Sequence, residues 1–554
     1  MRNVVVPGAC FIALLLCAGV EALAQGATPI AVQSAAAAGY SIAGTVVDAT
    51  NGEPVQRATV AVLSEADRNA VASVVTDNEG RFTLEGLAAG KYPLTASKRG
   101  FRTAFFDEHD GGYNTAIVTG EGQQTRGLVF KLNRGAALQG VVIGDGGDPV
   151  EGAVMLFVKP HKHNPGTRIT QIGEVSTDDT GAYEFDDLPA GEYLLAVKAE
   201  PWYALHHSHD SSRQQPESGA NPALDVAYPI TYFDSTADES AATPITLKAG
   251  SREEANINLR AVPALHIFVQ VPLADEEKHE LVPPPALQRT IFGTQIPSEA
   301  SLNQNPKESD MAEFTGIAPG RYELQQGNPP RVAELDATTN ERVDPSLGIT
   351  TVAVSGTLRA TRGFVIPEDV TLALNSLDGT QGQASLQTSC YDGIFTFAAV
   401  PPGNWRLTIL SPGKTLLVES ISIGKKTNAG SLLTVKDKPL QTEVTVSAGE
   451  TRVEGFAKKG GKGAAGVMVV LVPRDQAANG DQFRRDQSDS DGSFSLRDVA
   501  PGEYTVVAIA DGWELDWERP EVLGPYLRKG IVVTVTESSG KLIAIKEGVP
   551  VQNR

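Results

Sequence analysis

The residues of this chain that could do chemistry are its histidines, one aspartate-rich turn and its tryptophans. Five of its eight histidines stand close together as His161, His163, His206, His207 and His209, the last followed by Asp210. Imidazoles beside a carboxylate suit zinc, copper or nickel. Nothing in the flanks sets a ligand geometry, and a solvated histidine-rich loop accounts for the same residues. No metal or other cofactor is therefore assigned; His206, His207, His209 and Asp210 are the candidates.

A second arrangement is Gln487-Ser488-Asp489-Ser490-Asp491-Gly492, followed by Asp498. It fits positions 3, 5 and 6 of a calcium loop, two carboxylates and the turn glycine, but opens on Gln and closes on Asp rather than Glu. Asp and Gly at this spacing are also hairpin-turn chemistry, which is the reading adopted. A third group is aromatic: Trp202 with Tyr203, and Trp513 with Trp517. Flat rings at the rim of a β-sandwich can stack on sugars or contact a protein partner; the same rings can instead cap a hydrophobic core. Glu514, Asp516 and Glu518, beside the second pair, suit sugar hydroxyls or plain solvation. Catalytic residues are assigned to none. The sequence has no His-x-x-Glu, His-Glu-x-x-His, Gly-x-Ser-x-Gly or P-loop pattern.

The elements that must position these residues are set by repetition. Residues 76–92 (TDNEGRFTLEGLAAGKY), 177–193 (TDDTGAYEFDDLPAGEY) and 488–504 (SDSDGSFSLRDVAPGEY) restate one phrase. A fourth copy ends at Gly403 and Trp405, and a worn fifth at Gly320 and Tyr322. Asp and Gly make a turn; Phe82 and Leu84, or Tyr183 and Phe185, then alternate with polar residues as a half-buried strand does. A second glycine turns the chain, and an aromatic two residues on (Tyr92, Tyr193, Trp405, Tyr504) opens another strand. Each copy begins alike, with Gly44-Thr45-Val46, Gly140-Val141-Val142, Gly356-Thr357-Leu358 and Gly455-Phe456. In the middle copy Asp310 takes the turn glycine's place and Ala312 the first strand aromatic's. Repetition at this period indicates a string of similar modules.

Gly44-Thr45-Val46, Pro54-Val55 and Thr76 through Tyr92 resemble the carboxypeptidase regulatory-like domain. Its relatives are the transthyretin-like domain and the collagen-adhesin B-type repeats, within the carbohydrate-binding-like superfamily. The resemblance covers most of the chain after its first 40 residues. It implies an all-β fold of tandem antiparallel β-sandwich modules, transthyretin-like or immunoglobulin-like, in an elongated array. It implies no enzyme, since this domain accompanies carboxypeptidases in other proteins and is not their catalytic part.

The chain of 554 residues carries a net charge of −20, which argues against nucleic acid and anionic membranes as partners. The apolar run Val4 to Val20 followed by Ala22-Leu23-Ala24 reads as a Sec signal peptide, residues 1–24. An alanine-rich leader, 25–39, precedes copies at 40–132, 136–260, 263–351, 352–448 and 450–547. Cys10 and Cys17 leave with the signal, so Cys390 is alone and an intramolecular disulfide is excluded. No later run is long enough for a membrane span. The sequence thus describes a non-catalytic protein, periplasmic or extracellular, acting as a structural, adhesive or interaction scaffold of the cell envelope. The alternative is an array of carbohydrate-binding modules. The expected partners are envelope or extracellular proteins or glycans.

Overall fold

The computed structural model describes residues 39–554 apart from 66, 111, 160–168, 206–220, 272–283, 299, 305–310, 328–329, 345–347, 362–364, 378–384, 412–414, 450, 477–478, 518 and 537–540. The signal peptide and most of the leader lie outside the described residues, as do all five clustered histidines, Asp210 and Asp310. The described chain is mostly strand, in packed, largely antiparallel sheets along its length. The all-β class and the tandem sandwiches are as the repeats require.

Copy 1 shows the plan. Its first strand, Tyr40–Asp48, lies between Arg81–Leu87, antiparallel, and the closing strand Leu128–Leu132, parallel. The facing sheet runs Ala70–Val75, Thr59–Leu63, Leu94–Lys98 and Phe101–Phe105. The same antiparallel and parallel neighbours flank Ala136–Ile143, Leu265–Gln270, Val352–Ala360 and Arg452–Lys459. Pairing its first strand with its last ties each copy's two ends together. Between the sheets sit Ile42, Val60, Phe82, Leu94 and Phe130 in copy 1 and their counterparts in the others.

The recurrent letters have mechanical causes. Gly80 and Gly181 are in the left-handed region, φ 71° and 75°, and a Cβ on Gly80 would lie 2.5 Å from the Val46 carbonyl oxygen. Asp77 and Asp178 receive two backbone N–H bonds each, from Glu79 and Arg81 and from Thr180 and Ala182. Thr76, Thr177 and Ser488 cross-link strands: each hydroxyl donates to a carbonyl (Val55, Val150, Ala464) and accepts an N–H (Ala58, Gly152, Val467). The aromatic after the second glycine donates to the carbonyl four residues before it in all five copies. The bonds are Tyr92 to Ala88, Tyr193 to Pro189, Tyr322 to Ala318, Trp405 to Pro401 and Tyr504 to Ala500. One ring thereby fills the core and locks the turn preceding it.

The first-strand glycine has a partner in the turn strand. Gly44, Gly140, Gly356 and Gly455 stand opposite Phe82, Tyr183, Phe395 and Phe494. The ring lies over the missing side chain: a Cβ on Gly356 would come 2.6 Å from Phe395 Cζ. Copy 3 exchanges the two sizes. Val269 replaces the glycine and Ala312 the ring, still directly opposed, and both are buried. The worn copy is thus a complementary repacking rather than a lost strand.

The array does not run out straight. Phe292 of copy 3 inserts among Phe157 and Tyr232 of copy 2, with ring centroids 5.1 Å from each. Arg102 of copy 1 bonds the Asp187 carbonyl of copy 2. Asp481 of copy 5 accepts from Ser431 of copy 4 at 2.8 Å. Copies 3 and 4 touch through Pro330–Ala337 and Ile394–Val400. Copy 5 then packs on copy 1, so the chain closes a ring. This corrects the expectation of an elongated string: surface side chains some 400 residues apart find each other, which no local pattern encodes.

Candidate functional site

Among the described residues, a dense grouping of charged and aromatic side chains lies where the ring closes. Copy 5 supplies the strand Arg484–Gln487, the aspartate turn after it, and the 3-10 turn Gly512–Glu514. Copy 1 supplies the loop after Phe101–Phe105 and the short strand Ile117–Thr119. Trp513 is the centre. Its ring is 5 % exposed and stacks on His109, 5.0 Å away and 11° from parallel. Tyr113 packs against it at 5.3 Å, and its indole N–H donates to the Gly466 carbonyl at 3.2 Å. The Arg485 guanidinium lies 4.7 Å from the Tyr113 ring and 4.3 Å from Trp517, and pairs with Asp110 at 2.7 Å.

Polar contacts surround this stack. The Gln487 amide donates to the Thr115 hydroxyl at 2.8 Å and to the Asp107 carbonyl at 2.6 Å, and its oxygen faces His109 Nδ1 at 3.0 Å. Asp489 joins Lys91 at 2.7 Å and accepts the Ala116 N–H; Ser490 accepts the Val118 N–H and donates its own to the Ala116 carbonyl. The turn that mimicked a calcium loop therefore spends its first carboxylate on copy 1. Its second, Asp491, accepts from Ser493 at 2.9 Å. Burial works against the Lys91 charge, but Asp489 outweighs it and holds the ammonium above its ordinary pKa. Behind the turn, burial pushes Asp486 up to about 7, the Asp489 charge adding to it and the Ser495 N–H opposing.

The aromatics singled out in the sequence divide. Trp513 and Trp517 belong to this contact; Trp513 lies in a cluster with Met468, Val470, Ile509 and Leu523, where its ring is closed to a sugar. Leu523 comes from the helix Pro520–Leu527. Trp202 is 69 % exposed and meets Tyr203 edge-on at 5.7 Å. Cys390 is buried, free of disulfide, and its thiol is pushed up by burial. Among the described residues no three His, Cys, Asp or Glu side chains converge as metal ligands.

Sequence reading missed His109, Tyr113, Lys91 and Arg485, and took Gln487 only as the opening residue of an aspartate turn. One of them carried a signal. Gln487 stands where copies 1 and 2 have Val75 and Ser176, both exposed, yet it is 1 % exposed itself. A large amide at an otherwise solvent-facing place of the repeat marks a covered face.

Residues 41–133 match the family of the carboxypeptidase regulatory-like domain, and residues 446–523 match that of the BOS complex subunit NOMO1-like second beta sandwich domain. Both families describe β-sandwiches. No curated protein matches the chain. Among solved structures it overlaps the Bacillus anthracis TIE protein at 13 % identity, covering 74 % of each chain with a TM-score of 0.18. A streptococcal ancillary pilin overlaps at 11 % identity, covering 52 % of this chain and 99 % of its own, TM-score 0.20. The minor pilin GBS52 of Streptococcus agalactiae overlaps at 15 %, covering 40 % and 97 %, TM-score 0.18. Scores so low carry neither structure nor function across. No helix among the described residues is long and apolar enough to cross a membrane.

Proposed function

We propose that this chain is a non-catalytic exported scaffold of the cell envelope, holding five sandwich units in a closed ring to present their outer faces to proteins or glycans. The unit limits adopted are 40–132, 136–260, 263–351, 352–448 and 450–547. The observation that carries the reading is the closure around Trp513. The conspicuous aromatic, amide and charged groups of copies 1 and 5 are spent on holding the units against each other, which serves a display surface and not a reaction centre. Export rests on the Ala22-Leu23-Ala24 site, and the acidic surface suits a secreted protein.

The test is fractionation and cross-linking. The full chain, expressed in a diderm host with its first 24 residues intact, should reach the periplasm or medium shortened at its start. Cross-linking there should capture envelope proteins or glycans. Retention of the uncut chain in the cytoplasm would refute export, and a protein that captures nothing in the envelope would refute display. The glycan-binding alternative keeps one observation in its favour, the solvent-facing Trp202 ring beside Tyr203.

A further inference from the structure

The boundary between copies 2 and 3 is held by an imidazole and a phenyl ring. His266 stands on the first strand of copy 3, Leu265–Gln270, beside the short pairing of Val226–Ala227 with Val262–Pro263 that joins the two copies. Its Nε2 meets Asp225 of copy 2 at 2.8 Å, and its Nδ1 meets Glu313 of copy 3 at 2.7 Å. A neutral imidazole has one N–H and one lone pair, so it can donate to only one of these carboxylates. Both contacts are bonds only in the imidazolium, and both are then charge-assisted. Among the described residues, the flanking strand Glu341–Val343 adds two more charges. Arg342 stands opposite Phe268 and shares the face of His266; Glu341 stands opposite Ile267 on the other face. Burial opposes a charge on His266, but the bonds to the two carboxylates prevail and the proton is held more tightly than usual.

The second contact has a cost built into it. Phe292 is the tip of the hairpin between Ala286–Ile291 and Thr294–Pro297, with its backbone in the left-handed region at φ 48°, an uncommon state for an aromatic residue. Copy 2 holds it there: Phe157 and Tyr232 pack on its ring, and Glu239 accepts its N–H at 3.0 Å. Losing the His266 proton acts against this hold in two ways. Asp225 and Glu313 become like charges facing each other across the boundary with no cation between them. One of them also meets an imidazole lone pair.

We propose that this boundary is a pH-operated latch, closed while His266 is protonated and releasing Phe292 from copy 2 when that proton is lost. The closed form holds the proton more tightly than the open one. Closure is therefore complete below the ordinary histidine value of about 6.5 and is lost as the pH rises through the raised one. Release uncovers apolar side chains of copy 2, Met155, Phe157, Leu194 and Ile230, which are buried in the closed form. The latch does not rest on the display reading, since a ring with fixed boundaries would present the same outer faces.

The test is native-state hydrogen exchange of the full-length protein at about pH 5.5 and about pH 8.5, either side of the histidine range, with protection corrected for the intrinsic rate at each pH. The reporter is the Phe292 amide, whose bond crosses this boundary. Its protection should fall between the two about tenfold for each unit by which closure raises the histidine. His266→Gln, a neutral donor, should leave it low at both pH values. His266→Lys, a fixed cation between the same carboxylates, should keep it high at both. Amides in Val370–Ser376 of copy 4 should behave alike in all three proteins. Equal Phe292 protection at the two pH values in the unaltered protein would overturn the latch. So would a fall that persists in His266→Lys, or copy 4 amides that change with the substitution as Phe292 does. If His266→Gln does not fold, His266→Lys decides alone.

Discussion

Trp513→Ala should open the ring. The indole contributes in two ways that can be separated. Within copy 5 it packs on Met468, Val470, Ile509 and Leu523, and its removal leaves a cavity of the kind that costs about 3–5 kcal/mol. Across the junction it meets His109 and Tyr113 at 5.0 and 5.3 Å. Aromatic pairs of this sort contribute about 0.5–1.5 kcal/mol beyond burial. A double-mutant cycle of Trp513→Ala with His109→Ala should therefore return a coupling of about 1 kcal/mol. The assay is native-state hydrogen exchange, because a five-unit chain need not melt in two states. The reporters are the Ala116, Val118 and Ser490 amides, which bond only across this junction. In Trp513→Ala they should lose protection together while amides in Val370–Ser376 of copy 4 keep theirs. Unchanged protection at all three amides, or a cost to copy 5 below about 1 kcal/mol, would refute the reasoning, since a buried indole cannot be removed so cheaply.

Two further outcomes follow from another junction and from the interior of copy 3. His266 bridges Asp225 of copy 2, at 2.8 Å, and Glu313 of copy 3, at 2.7 Å. Burial opposes its charge, but the bonds to the two carboxylates prevail and its pKa is raised. A raised pKa means the folded state holds the proton more tightly. The stabilisation is thus complete below the ordinary histidine value of about 6.5 and is lost as pH rises through the raised one. Denaturant melts of copies 2 and 3 should weaken across that interval, and His266→Gln should flatten the dependence; an unchanged slope would show that another group titrates. In copy 3, Val269→Gly and Ala312→Phe should each destabilise, by a cavity and by overpacking at about 1–3 kcal/mol. The double variant should recover much of the loss, because it restores the glycine-under-ring pair of the other copies. Losses that simply add, measured by urea unfolding, would mean the two positions do not share space.

How much of this was legible beforehand follows from the range of the forces involved. Asp77 and Gly80 make their turn from bonds within five residues, so any sequence with that spacing announces it. The alternation of Phe82 with Leu84 announces a half-buried strand for the same reason, and five restatements announced five sandwiches. The first-strand glycine and the turn-strand aromatic were visible as separate letters. That they are one device needed the register that sets Gly356 against Phe395, and the Val269–Ala312 exchange explains why copy 3 looked worn.

What the tertiary structure alone decided is which surfaces are surfaces. Trp202 and Trp513 stand eleven residues after equivalent glycines, yet one ring faces water and the other is sealed beneath copy 1. Their local sequences cannot differ in a way that predicts this, because the cover on Trp513 is His109 and Tyr113, roughly 400 residues earlier in the chain. Lys91 and Arg485 read as ordinary surface residues in any window around them, and Gln487 stands out only against the other copies. Each becomes a junction residue only when the angles at four successive unit boundaries add up to closure, and those angles are set by side-chain packing such as Phe292 between Phe157 and Tyr232. Short-range turn and strand chemistry repeats and can be read along the chain; the meeting of distant surfaces is a sum over packed interfaces and appears only when the whole chain is folded.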